Sequence, residues 1–68
     1  MVEDAADLAR ADRRIVEGEM RYTRQLVVIE RLRAAGHDTT EAEDVLRRIA
    51  EGLDGLRERR RLILREMN

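Results

Sequence analysis

Counted at about 100° per residue, the apolar positions in the first half of the chain fall on two stripes of one helix. Leu8, Ala11, Ile15, Gly18, Tyr22, Leu26, Ile29 and Leu32 make the first stripe. Within it Leu8, Ile15, Tyr22 and Ile29 recur every seven residues, the spacing of a supercoiled seam. Val16, Met20, Thr23 and Val27, with Ala9 and Ala34, make a second stripe beside the first. The arginine-rich back (Arg10, Arg13, Arg14, Arg21, Arg24 and Arg31) covers less than half the circumference. The second half has one stripe of ordinary width, made of Ala42, Val45, Leu46, Ile49, Leu53, Leu56, Ile63, Leu64 and Met67; Leu62 falls outside it.

The pattern breaks once, at Gly36-His37-Asp38-Thr39-Thr40. Ala34 and Ala35 followed by Gly36 predict a helix end with glycine at the left-handed C′ position. Thr39 or Asp38 then serves as the next N-cap, its side-chain oxygen taking a free amide two or three residues on, and Thr39 is the preferred candidate. Thr40 with Glu43 also has capping-box spacing. The expectation is an all-α chain, one αα-hairpin domain over residues 1–68, with helix 1 at about 4–35 and helix 2 at about 40–66. Acidic residues at the start of each helix and arginines near the end of the second complement the helix dipoles. Glu17–Arg21, Glu43–Arg47 and Asp44–Arg48 have (i, i+4) spacing in the better orientation.

One helix pair buries one stripe from each helix, so a lone hairpin leaves Val16, Met20, Thr23 and Val27 wet. Single surface apolars are ordinary, but these are contiguous, and the chain has little else to hold it. At 68 residues without Cys, it has neither a large core nor a disulfide. A second copy is the cheapest cover for that stripe, since two-fold dimers are the commonest oligomers. Two hairpins then form a four-helix bundle.

Composition excludes most chemistry. There is no Ser, Cys or Lys, so hydroxyl nucleophiles reduce to Thr23, Thr39, Thr40 and Tyr22; only the two loop threonines lie near the histidine, and they have capping work available, so a catalytic triad is not expected. His37 is the sole histidine. With Asp38 and Glu41 it makes a poor metal set, and it reads as a solvated loop residue at a helix C-terminus. No metal, cofactor or catalytic residue is expected. The 14 basic residues are balanced by 15 acidic ones, and the one basic run, Arg57–Arg61, is spread around the helix. Folding the hairpin brings that run alongside Glu3, Asp4, Asp7, Asp12 and Glu17. Nucleic acid is therefore a weak candidate partner. No apolar run approaches the ~18–20 residues of a membrane span, and the acidic start, Met1-Val-Glu-Asp, is unlike a signal peptide.

Arg60 is the one charged residue inside the helix 2 stripe. A fold about residue 37 or 38 sets Ile15 opposite Arg60, with Asp12 and Glu19 one turn to either side, so either carboxylate can hold the guanidinium. The same register sets Tyr22 opposite Leu53, with Gly52 and Gly55 either making room for its ring or facing solvent.

Val16-Glu17-Gly18-Glu19, Gln25, Leu32, Gly36-His37-Asp38-Thr39-Thr40-Glu41-Ala42 and Leu46 together resemble a family of small uncharacterised alphaproteobacterial proteins with a V-E-G-E … Q … L … G-H-D-T-x-x-A … L pattern. The resemblance spans about residues 13–61 and implies a helical hairpin with no assigned activity. Members often carry another histidine in the stretch matching Arg57–Arg61, which this chain lacks. The functional expectation is a small cytoplasmic, non-catalytic interaction protein, homodimeric, with regulation as one role open to it. The alternative is an arginine-rich nucleic-acid-binding or nucleoid-associated module.

Overall fold

The computed structural model describes residues 4–67, with side chains from Ala5 onward. It has two α-helices packed against each other, α1 (Asp4–Ala34) and α2 (Thr40–Met67), and no strand among the described residues. The result is a rod, 52 × 15 × 14 Å.

α1 ends in a Schellman turn. Gly36 has φ 75°, its amide donates to the Arg33 carbonyl at 3.0 Å, and the His37 amide donates to the Leu32 carbonyl at 2.9 Å. A side chain resists the left-handed region, so glycine at this position sets where α1 stops. The Thr39 carbonyl accepts the first bond of α2, from the Glu43 amide at 2.8 Å, so Thr39 holds the N-cap position by its backbone.

Besides Asp7, the covered residues of α1 are Leu8, Ala11, Ile15, Gly18, Tyr22, Gln25, Ile29 and Leu32, buried or half-buried at strict alternating steps of three and four. Leu26, expected in this seam, lies outside it and is exposed, and Gln25 takes its place. The cause is the period. A supercoiled pair keeps a repeat of 3.5 residues, and a count at about 100° per residue drifts off it along a long helix. From the N-cap Thr39 the facing seam runs along α2 through Ala42, Leu46, Ile49, Leu53, Leu56, Arg60 and Ile63 at the same steps. Val45 and Met67, also expected there, are exposed, as is Leu62.

The register differs from a simple fold about residue 37 or 38. Leu53 packs on Gly18: a Cβ at Gly18 would lie 2.7 Å from Leu53 Cδ2 and 3.2 Å from its Cγ. Counting both seams from that contact sets Ala11 level with Arg60, Ile15 with Leu56, Tyr22 with Ile49 and Ile29 with Ala42. The helices are thus one turn out of the expected alignment. Size complementarity explains the shift, because Gly18 receives Leu53 and Ala42 receives Ile29, large against small along a narrow seam. Gly52 and Gly55 do not make room for Tyr22; both are exposed, and a Cβ at either would meet nothing within 4 Å. The core is one side chain thick, comprising Ala11, Ile29, Ala42, Leu53 and Ile63 as its buried apolar members.

Candidate interaction surface

The candidate face lies on α1 outside its seam with α2, with Thr23 at the edge nearest α2, where it borders a groove with Ala50, Leu53 and Arg57. Val16, Met20, Thr23 and Val27 are all exposed there, Val16 at 54% and Met20 at 58%. Val16, Met20 and Thr23 line a shallow apolar depression with Glu19 and Arg24 at its rim. The face exists because α1 carries more apolar residues than one neighbour can cover. Helical geometry directs the surplus outward.

The two flanks of the hairpin differ in charge pairing. On one flank arginines of α2 meet carboxylates of α1. Arg60 Nε donates to Asp12, and Arg57 donates to Glu19 at 3.1 Å, with Asp54 also 3.9 Å from Arg57. Arg60 is therefore matched with Asp12, and Glu19 is taken by the arginine one turn earlier on α2. That division follows from the shifted register, since Arg60 sits level with Ala11 and Asp12 is its neighbour in sequence. The Arg60 and Asp12 side chains remain 40% and 50% exposed, so solvent screens the pair. Arg61 closes on Glu58 within α2; this bond holds the Glu58 carboxyl below its ordinary range and raises Arg61. Within the Arg57–Arg61 run, Arg57, Arg60 and Arg61 are thus paired with carboxylates, and Arg59 has no ion-pair partner among the described residues. Of the expected acidic partners, Asp7 pairs with Arg10 instead, Glu17 makes no ion pair among the described residues, and Glu3 and the Asp4 side chain lie outside those residues.

On the other flank Arg14, Arg21 and Arg48 border a groove lined by Gly18, Gly52, Gly55 and Leu56. None of the three arginines has an ion-pair partner among the described residues. The expected Glu17–Arg21, Glu43–Arg47 and Asp44–Arg48 pairs do not form. Asp44 instead holds Arg47 at 2.8 Å across three residues, a spacing a short aspartate side chain spans well.

The entry to α2 divides the capping work differently from the sequence expectation. Asp38 Oδ1 accepts the Thr40 amide at 2.9 Å and the Thr40 hydroxyl at 2.7 Å. Those two bonds, the amide first, hold the Asp38 carboxyl below its ordinary range. The Thr39 hydroxyl donates to the Glu43 carboxylate and, among the described residues, accepts no backbone amide. Thr39 is the cap by position and Asp38 by side chain. The reason is reach: a carboxylate one residue earlier closes an Asx turn onto the Thr40 amide. Because Glu43 is engaged with Thr39, the capping-box spacing is not used.

Sequence periodicity missed Gln25. Its Nε2 donates to the Ala42 carbonyl at 2.8 Å, a part-buried side-chain bond from α1 to the backbone of α2. A strict count of three and four from Leu8 would have placed it in the seam. His37 is exposed, and no group of three or more His, Cys, Asp or Glu able to hold a metal occurs among the described residues. No helix among them is long and apolar enough to cross a membrane. No family model, curated protein or solved structure matches the chain.

Proposed function

We propose that the chain is a small, non-catalytic interaction protein of the cytoplasm whose immediate partner is a second copy of itself, joined through the outer face of α1 into a four-helix assembly. One observation carries this reading. Val16 and Met20, the two most exposed large apolar side chains among the described residues, lie one turn apart on a helix whose inner face is already covered. The thin core supports it, because a two-helix seam with no large side chain fully buried gains from any further apolar cover. Sedimentation equilibrium at micromolar concentration tests it, with a dimer mass expected for the wild-type chain. Val16→Glu with Val27→Glu should give monomer or unfolded chain. A dimer mass unchanged by that pair of substitutions would remove the face from the interface.

A second reading, nucleic-acid binding, has one observation in its favour: the unpaired Arg14, Arg21 and Arg48 around one groove. Phosphate binding would weaken steeply with salt, whereas apolar pairing would not. Failure to retain duplex or single-stranded DNA at low salt removes this reading.

A further inference from the structure

We infer that the second copy docks antiparallel, α1 against α1, about a two-fold axis level with the Arg21–Tyr22 peptide. This rests on the homodimer reading above and specifies the partner's orientation. The outer face of α1 is a second seam at steps of three and four. Ala9, Arg13, Val16 and Met20 form its first half, Thr23, Val27, Glu30 and Ala34 its second, and every one is exposed. Reversed about its midpoint, the row repeats its own spacing.

Reversal also matches the chemistry. Met20 comes level with the partner's Thr23, and Val16 with the partner's Val27, so the centre is mostly apolar. Arg13 comes level with the partner's Glu30, giving one opposite-charge pair at each end of that centre. Ala9 meets the partner's Ala34 beyond it. Arg13 and Glu30 have no ion-pair partner within the chain among the described residues, so both are free for this use.

Parallel pairing through the same seam would set Arg13 on Arg13 and Glu30 on Glu30. Like charges in register select against that alignment. The antiparallel contact is self-complementary and closes as a two-fold pair. Because the outer seam lies outside the α1–α2 contact, the two α1 helices occupy the middle and the two α2 helices the outside. The four helices then lie in a row rather than at the corners of a square.

Cysteine pairing tests the orientation, and the absence of native Cys makes the readout clean. Val16→Cys and Val27→Cys variants are mixed and mildly oxidised. Antiparallel docking yields the mixed 16–27 disulfide, whereas Val16→Cys alone cross-links poorly, because Val16 then lies about 16 Å along the axis from the partner's Val16. Charge exchange is the second arm. Arg13→Glu and Glu30→Arg should each weaken dimerisation about tenfold, and the double variant should recover it, with helicity unchanged in all three. A 16–16 disulfide in preference to 16–27, or no recovery in the double variant, overturns the orientation while the dimer stands. A dimer mass with neither cross-link moves the interface off this seam. A wild-type chain that stays monomeric removes the dimer and the orientation together.

Discussion

The two faces of α1 follow the same step rule and meet opposite fates. The inner seam, from Leu8 to Leu32, is sheltered at every position, and the outer seam, from Ala9 to Ala34, is exposed at every position. Spacing therefore does not separate them; side-chain content does. The inner seam places Gly18 and Ala11 where α2 supplies Leu53 and Arg60, and Ile29 where α2 supplies Ala42. The outer seam has no complementary row in α2. Its charged members, Arg13 and Glu30, have no ion-pair partner among the described residues. A heptad repeat shows that a helix has a face to cover, and for the inner seam the sizes of the side chains along that face fit what covers it.

The most direct way to break the contrast is truncation at its two ends. Leu53→Ala empties the side chain that fills Gly18, where Leu53 is only 5% exposed. It should cost about 2–5 kcal/mol, enough to unfold so small a domain. Met20→Ala on the outer face should leave helicity intact and change only the sedimenting mass. Thermal melts followed by circular dichroism at a concentration below dimer formation separate the two. Equal losses from both substitutions would mean that the seams are not independent.

The glycines sharpen the same contrast at smaller scale. Gly18→Ala drives a methyl into Leu53, and the displacement outweighs the helix propensity gained. A net loss of about 1–2 kcal/mol is expected. Gly52→Ala and Gly55→Ala meet open space and should each raise stability by up to ~1 kcal/mol. A stabilised Gly18→Ala variant would show that Leu53 swings aside freely and that the inner seam is looser than its packing suggests.

Below that lies Arg60 with Asp12. The pair sits at the margin of the inner seam, half in solvent, and a double-mutant cycle should give coupling of about 0–1 kcal/mol. The cycle of Arg60 with Glu19 should give none, because Glu19 belongs to Arg57. Coupling to Glu19 instead would restore the unshifted register.

The smallest effect concerns the connection that holds the inner seam in register. The Asp38 carboxyl is held low by the Thr40 amide and hydroxyl. Its contribution is therefore full above the ordinary carboxylate range and is lost as pH falls through the depressed value. Asp38→Ala should melt below the wild type near neutral pH, and the gap should close in acid. Thr39→Ala should cost less than Asp38→Ala. A larger loss from Thr39→Ala would return the capping work to its hydroxyl.

Both helices, their boundaries within a residue or so, the glycine-ended turn and the surplus apolar face of α1 were legible in the residues themselves. Those features depend on local propensity and on one-dimensional periodicity, which the chain carries whatever it packs against. The tertiary structure alone decided the register, and with it whether Arg60 takes Asp12 or Glu19, that Leu53 packs into Gly18 while still bordering Tyr22, and whether Gln25 or Leu26 faces the seam. Each of these is a choice between alignments one turn apart or between adjacent positions on the helix circumference. The hydrophobic pattern alone barely distinguishes them. What separates them is the fit of large against small side chains between two helices, which exists only once both are in place.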